Sequence, residues 1–341
     1  MGGLQVAGTA LLVGSAALLF GRRWPEAVAV GLILAMSSTA IVLQSLAERG
    51  VLKTRGGQAC FSVLLFQDIA VIPILALLPV LANAIHGAGV RGGAAPGSML
   101  AQLPGWAQAL ATIGAVVAVI AVGQLVLPPV FRLIAKTKVR DIFTAAALLL
   151  VVGISLLMAS VGLSPALGTF VAGVVLAESD YRHELEADIE PFKGLLLGLF
   201  FIAVGAGIDF TLIAEQPGLI AAMVVGLIAI KFAVLAGLGA IFKLEAKSTW
   251  LFAFALAQGG EFCFVLISMA RQHGVLADSV SKPLVGAVAL SMALTPLLFL
   301  VNEKLVQPRF AKARAARDED AVHGPDLGSE RAHGDRSRRE R

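Results

Sequence analysis

Asp68 stands inside the apolar run "VLLFQDIAVIPILALLP" at 63–79, beside Gln67 and five residues before Pro73. A carboxylate in mid-membrane costs about 2.5–3.5 kcal/mol on insertion scales, so such a residue normally faces a wet cavity and works. Desolvation penalises the bare anion, and either a proton or a cation can neutralise it. Two ligands competing for one carboxylate suffice for exchange by alternating access. The plainer alternative is an aspartate that bonds a neighbouring helix for packing. Gln67 points about 100° away from Asp68 on a helix. Its amide oxygen can ligate a desolvated monovalent cation without adding charge, or it can bond a neighbouring helix. A single carboxylate favours one-for-one, electroneutral exchange.

Lys231, in "LIAIKFAVLAG", is the second charge at membrane depth. It must be paired, snorkelled or neutral; alternatively it sits by the cation site and shapes its field. Two clusters complete the set: Ser37, Ser38, Thr39 and Gln258, Gly259, Gly260, Glu261. Hydroxyls can bond freed backbone groups and glycine tolerates unwound conformations, so both clusters read as helix breaks. Opposed half-helix ends want countercharge. Glu261 is placed either to cap an N-terminal half-helix or to take part directly in transport.

These residues need long apolar helices around them. Of 341 residues, 57% are hydrophobic and only 15% charged, with mean hydropathy +0.85, where a soluble domain holds about a quarter charged residues. Ten apolar segments are expected, at about 3–20, 25–48, 57–85, 105–134, 141–161, 163–177, 188–208, 217–242, 248–270 and 280–301, most of them near the roughly 20 residues that span a bilayer. They lack the alternation of barrel strands. The fold class is all-α integral membrane. Arg and Lys set the orientation: with the C-terminus cytoplasmic, eleven fall in inside loops and five in outside loops. The expected domains are an exchanger-like membrane domain at 1–301 and a disordered cytoplasmic tail at 302–341. No basic stripe interleaved with aromatics points to nucleic acid. Cys60 and Cys263 lie in apolar segments and read as packing residues. The N-terminus lacks a charged n-region and reads as a first membrane helix.

An internal repeat underlies the breaks. "MSSTAIVLQSLAERGVLK" (36–53) and "QGGEFCFVLISMARQHGVLA" (258–277) share a small-residue cluster, an apolar run and Gly-Val-Leu, with Pro73 and Pro296 at similar offsets beyond. The second and ninth segments are an odd number apart and enter the membrane in opposite senses. Inverted repeats with interrupted helices are a transporter architecture with the site at the midplane.

The repeats, "VLLFQDIAVIPILALLP", "LAQGGEFCFVLI" and the stretch "VGLSPALGTFVAGVVLAESDYRHELEADIEPFKGLLLGLFFIAVGAGIDF" closely resemble the membrane domain of the Kef-type potassium:proton antiporters of the cation:proton antiporter-2 family, over about residues 25–301. The resemblance implies an NhaA-type dimer, with a transport core and a dimerisation scaffold in each protomer. It implies that Asp68 binds cation and proton, that Gln67 replaces the extra acidic or Asn residue of sodium-selective relatives, and that crossed helices meet at Ser37–Thr39 and Gln258–Glu261. It implies a cytoplasmic regulatory loop at His183, Glu184, Glu186 and Asp188. Relatives begin about three helices earlier and end in a nucleotide-binding domain through which glutathione acts. Here the tail stands in its place, so no cofactor is expected and any regulatory subunit acts in trans.

The resulting expectation is potassium efflux in exchange for protons at the inner (plasma) membrane. Sodium:proton exchange and a non-transporting fragment are the alternatives. A channel is disfavoured because no TVGYG-like filter is present. An enzyme is disfavoured because His183-Glu184 has Ala187 where HExxH needs its second histidine, and no Ser/His pair lies in the helices.

Overall fold

The computed structural model describes residues 1–86, 140–160 and 182–308, with isolated positions between 114 and 133 and between 168 and 177. The expected segments at 105–134 and 163–177 and the tail beyond 308 lie outside the described residues, apart from those isolated positions. All regular structure among the described residues is helical. Numbered in chain order, the helices are α1 (Gly2–Leu19), α2 (Trp24–Ala35), α3 (Thr39–Glu48), α4 (Arg55–His86), α5 (Arg140–Ser160), α6 (Arg182–Ala206), α7 (Phe210–Glu215), α8 (Pro217–Ile241), α9 (Ala246–Leu256), α10 (Glu261–Gln272), α11 (Asp278–Ala293) and α12 (Thr295–Val301). Among the described residues five stretches are long and apolar enough to cross a membrane, or up to seven when each of two bent pairs is one span.

Lipid tails are as apolar as leucine, so burial alone does not press membrane helices together; close packing and hydrogen bonds do. Small residues make the closest approaches here. Gly31 of α2 lies so near the Ala10 carbonyl that no Cβ fits, and a Cβ on Gly14 of α1 would stand 3.1 Å from the Ala27 carbonyl oxygen. Around this α1–α2 pair, α4, α10 and α11 share a core with Ile33, Leu78, Leu266 and Val288 fully or almost fully buried. A second core gathers Leu46, Leu64, Leu235, Phe252 and Phe299 from α3, α4, α8, α9 and α12. Helices α5 and α6 build a third cluster with Ala147, Met158 and Leu185, against which Ile72 of α4 packs.

Both repeat units have the same ending. After α3, Gly50 adopts φ +64°, its N–H bonds the Ala47 carbonyl and the Val51 N–H bonds Leu46. After α10, Gly274 adopts φ +71°, its N–H bonds Arg271 and the Val275 N–H bonds Ala270. This left-handed glycine cap satisfies the last carbonyls of each helix. Gly-Val-Leu is therefore a stop signal used twice.

Two expectations change. Residues 183–191, expected as a loop, form the first turns of α6, which continues through Pro191. The matched prolines also behave differently. Pro73 sits inside the continuous α4, whereas Pro296 opens α12 at a 43° bend. The chain also stays helical past 301, through a π-helical stretch at Asn302–Val306, to residue 308.

Candidate functional site

Helix α2 ends at Ala35 and α3 starts at Thr39; α9 ends at Leu256 and α10 starts at Glu261, bent 42° from α9. The two breaks touch backbone to backbone: a Cβ on Gly260 would collide with the Ser37 carbonyl carbon and oxygen. Each break frees carbonyls at one half-helix end and amides at the next. With no water in the hydrocarbon, those groups must find partners within the protein.

The carbonyl ends converge on Lys231 of α8. Its ammonium donates to the Met36 carbonyl at 2.7 Å, the Gln258 carbonyl at 2.7 Å and Ser37 Oγ at 2.9 Å. Three donors meet three acceptors in a fully buried setting. No carboxylate pairs with Lys231 among the described residues. Its charge instead faces the negative ends of α2 and α9. Further carbonyls are taken by side chains: Ala35 by Gln5 Nε2 at 3.1 Å and Gln67 Nε2 at 3.3 Å, Leu256 by Ser37 Oγ at 2.9 Å, and Ile33 by the Cys263 thiol at 3.1 Å. The Gly259 N–H donates to Ser291 Oγ at 3.0 Å.

The amide ends hold the two carboxylates. Ser38 caps α3 by accepting from the Ile41 N–H at 3.3 Å. Thr39 Oγ1 donates to Asp68 Oδ1 at 3.0 Å, and the next residue, Ala40, donates its backbone N–H to Glu261 Oε1 at 3.4 Å. The first turn of α3 therefore grips a carboxylate from α4 and another from α10. Glu261 also lies in the first turn of its own helix, so one anion serves the positive ends of both half-helices. Pro73 lacks an N–H, which leaves the Ile69 carbonyl, adjacent to Asp68, without its helical donor.

Asp68 is partly exposed while Gln67 is buried. The Gln67 amide oxygen accepts the Ser37 N–H at 2.8 Å, and its nitrogen donates to Gln5 Oε1 at 2.6 Å. Gln67 is thus woven into the α2–α3 break at Ser37, and Asp68 is held at the α3 end of the same break by Thr39. Beside them, both amide atoms of Gln258 and Glu261 Oε2 are buried with no hydrogen-bond partner. The crossing brings together Ser37, Ser38, Thr39, Gln67, Asp68, Lys231, Gln258, Gly259, Gly260 and Glu261. It does not include the acidic start of α6, where His183 faces Glu186 at 3.8 Å and Lys193 faces Glu190 at 3.7 Å within one helix.

Sequence reasoning missed Gln5, Ser291 and the thiol of Cys263 as members of the crossing. Gln5 stands out as the one side-chain amide of α1, but nothing in the sequence sets a partner opposite it. Ser291 and Cys263 are common residues of apolar helices and carried no signal.

A polytopic helical membrane protein whose two broken helices cross at buried charges is the class that this geometry defines. Residues 1–300 match the family described as sodium/hydrogen exchanger, transmembrane, and the chain belongs to that family. It is 44% identical over 320 residues to the glutathione-regulated potassium-efflux system protein KefC of Escherichia coli O139:H28 (strain E24377A / ETEC), covering 94% of this chain and 50% of that protein. The same figures hold for the proteins of that name from Shigella boydii serotype 18 (strain CDC 3083-94 / BS512) and Escherichia coli (strain K12). The chain thus spans about half the length of the curated relatives it matches.

Proposed function

We propose that this chain exchanges a monovalent cation for a proton by alternating access, with Asp68 binding the two in turn. The observation that carries the reading is the Thr39–Asp68 hydrogen bond: it puts a partly exposed carboxylate at the N-terminal end of a broken helix, where charge is held but not paired. Every other charge at the crossing has structural work. Lys231 is saturated by three oxygens, and one oxygen of Glu261 is on the Ala40 amide. One oxygen each of Asp68 and Glu261 is held, and the second oxygen of Glu261 has no partner among the described residues; with Asp68 as the single exchanging carboxylate the cycle is one-for-one and electroneutral. Gln67 supports the break beside it and adds no charge.

Potassium is the proposed cation, since the relatives are named potassium-efflux proteins. The plasma membrane, with the C-terminus in the cytoplasm, is the proposed setting, and a homodimer the proposed assembly. The acidic start of α6, with His183, Glu184, Glu186 and Asp188, is the proposed regulatory contact for a partner supplied in trans.

Everted membrane vesicles test the reading. Adding potassium or sodium to vesicles holding a pH gradient is expected to dissipate it, with potassium the more effective, and Asp68→Asn is expected to abolish the effect. An inserted, folded chain that dissipates nothing with either cation would overturn exchange. Dissipation that survives Asp68→Asn would overturn the assignment of the site.

A further inference from the structure

On the side of the α1–α2 turn, a crevice of about 530 Å³ opens between α1, α2, α8 and α11. Its volume lies in the range of small-molecule sites. Val13, Val30, Leu34, Met223, Leu227 and Leu284 supply apolar wall, and Arg22 is the one charged lining residue among those described. The turn that carries Arg22 has the signature of a bilayer interface. Leu19 and Phe20 are 88% and 85% exposed, Trp24 is 58% exposed, and Arg22 and Arg23 stand between them. Aromatic rings and arginines collect at headgroup level, so the crevice starts there and runs into the hydrocarbon. Among the described residues no carboxylate pairs with Arg22.

We propose that this crevice holds one phospholipid, its acyl chain against the apolar walls and its phosphate on the Arg22 guanidinium. Charge and shape commit to that occupant. An inorganic anion makes no use of the apolar depth, and an uncharged chain makes no use of Arg22. An amphiphile with a phosphodiester at headgroup level matches both ends, and guanidinium suits phosphate geometry. The inference requires only that the chain lies in a bilayer and is independent of the exchange reaction.

Gly226 and Gly237 of α8 make the test specific. A Cβ at either meets nothing within 4 Å, but only Gly226 lines the crevice. The full chain, purified in detergent, is titrated with phosphatidylglycerol, and bound lipid is counted by native mass spectrometry. Glycerol phosphate serves as headgroup without chains, and diacylglycerol as chains without phosphate. The wild type and Gly237→Phe are expected to retain one phosphatidylglycerol. Gly226→Phe is expected to weaken retention by roughly tenfold or more, equivalent to about 1.4 kcal/mol. Arg22→Gln, in an exposed turn where folding is not at stake, is expected to weaken it several-fold and to erase the preference over diacylglycerol. Equal retention by Gly226→Phe and Gly237→Phe would overturn the site. Wild-type binding of glycerol phosphate as tight as that of the lipid would reduce it to an anion contact. Equal binding of diacylglycerol would reduce it to an apolar surface.

Discussion

Lys231 and Glu261 divide four half-helix ends between them, the cation on the carbonyl ends and the anion on the amide ends. Removing the cation therefore does more than delete a charge. Lys231→Met strands the Gln258 carbonyl in a dry interior and leaves the Met36 carbonyl only the Cys263 thiol at 3.9 Å, at about 1–3 kcal/mol for a group left without a partner. Lys231→Gln keeps two donors and should fall between Met and the wild type. The thermal unfolding midpoint of the purified protein is expected to rank wild type above Gln above Met. A Met variant as stable as the wild type would show that the breaks are closed by something else. The legible part of this site was its charged part. Asp68, Lys231 and Glu261 announce themselves because charge is rare in lipid, and the breaks announce themselves through Ser, Thr and Gly. Gln5 and Ser291 were not legible as partners. A side-chain amide or hydroxyl gains meaning only from what the fold sets opposite it, and sequence spacing does not encode that.

Among the elements, four helix ends use one capping geometry. Gly21, Gly50 and Gly274 close α1, α3 and α10 in the left-handed region, and α8 closes through Lys243 at φ +52°, its N–H on Ala240 and the Leu244 N–H on Gly239. A side chain in that region costs about 1–2 kcal/mol that glycine avoids. Lys243→Gly, at an exposed position, is expected to stabilise the protein by about 1 kcal/mol, read as a raised unfolding midpoint; an unchanged or lower one would refute the strain. His273, the C-cap of α10, lies in the turn to α11, and burial holds its imidazole below the ordinary value. The sign follows from proton counting. As pH falls through about 6.5 the unfolded chain takes the proton first, so stability rises with pH through that range and is lost on the acid side. His273→Gln is expected to flatten the loss of stability between about pH 6.5 and 5, measured as midpoint against pH; an unaltered slope would place the acid sensitivity elsewhere. The first turns of α6 show where pattern reading fails at this scale. Residues 183–191 are polar and end in Pro191, which reads as a loop. Yet Glu, Leu and Ala are good helix formers, and acidic residues suit a helix N-terminus.

For the whole molecule, the packing separates two bodies. The crossing and its helices share the first two cores, while α5 and α6 carry their own cluster. They meet along α6, where Phe200, Phe201 and Val204 lie on the first core and the Phe200 ring stands edge-on to Phe264 of α10, centroids 6.2 Å apart, and at Ile72 of α4, which packs on the α5–α6 cluster. If the proposed exchange slides one body on the other, α6 is the surface on which it slides. Phe200→Cys with Phe264→Cys places two thiols across that surface. Phe264 is itself buried, but truncating both rings opens the seam around the new thiols, whereas the native Cys60 and Cys263 are free and stay enclosed, so a short bifunctional thiol reagent should find the new pair first. Cross-linking is expected to stop cation-driven dissipation of the pH gradient while either single variant, treated alike, keeps it. A reducible linker should restore the activity on cleavage, which separates a frozen interface from a damaged one. Full cross-linking with unimpaired exchange would mean that the crossing body does not move against α6, and that access to Asp68 switches by a smaller rearrangement around the broken helices themselves.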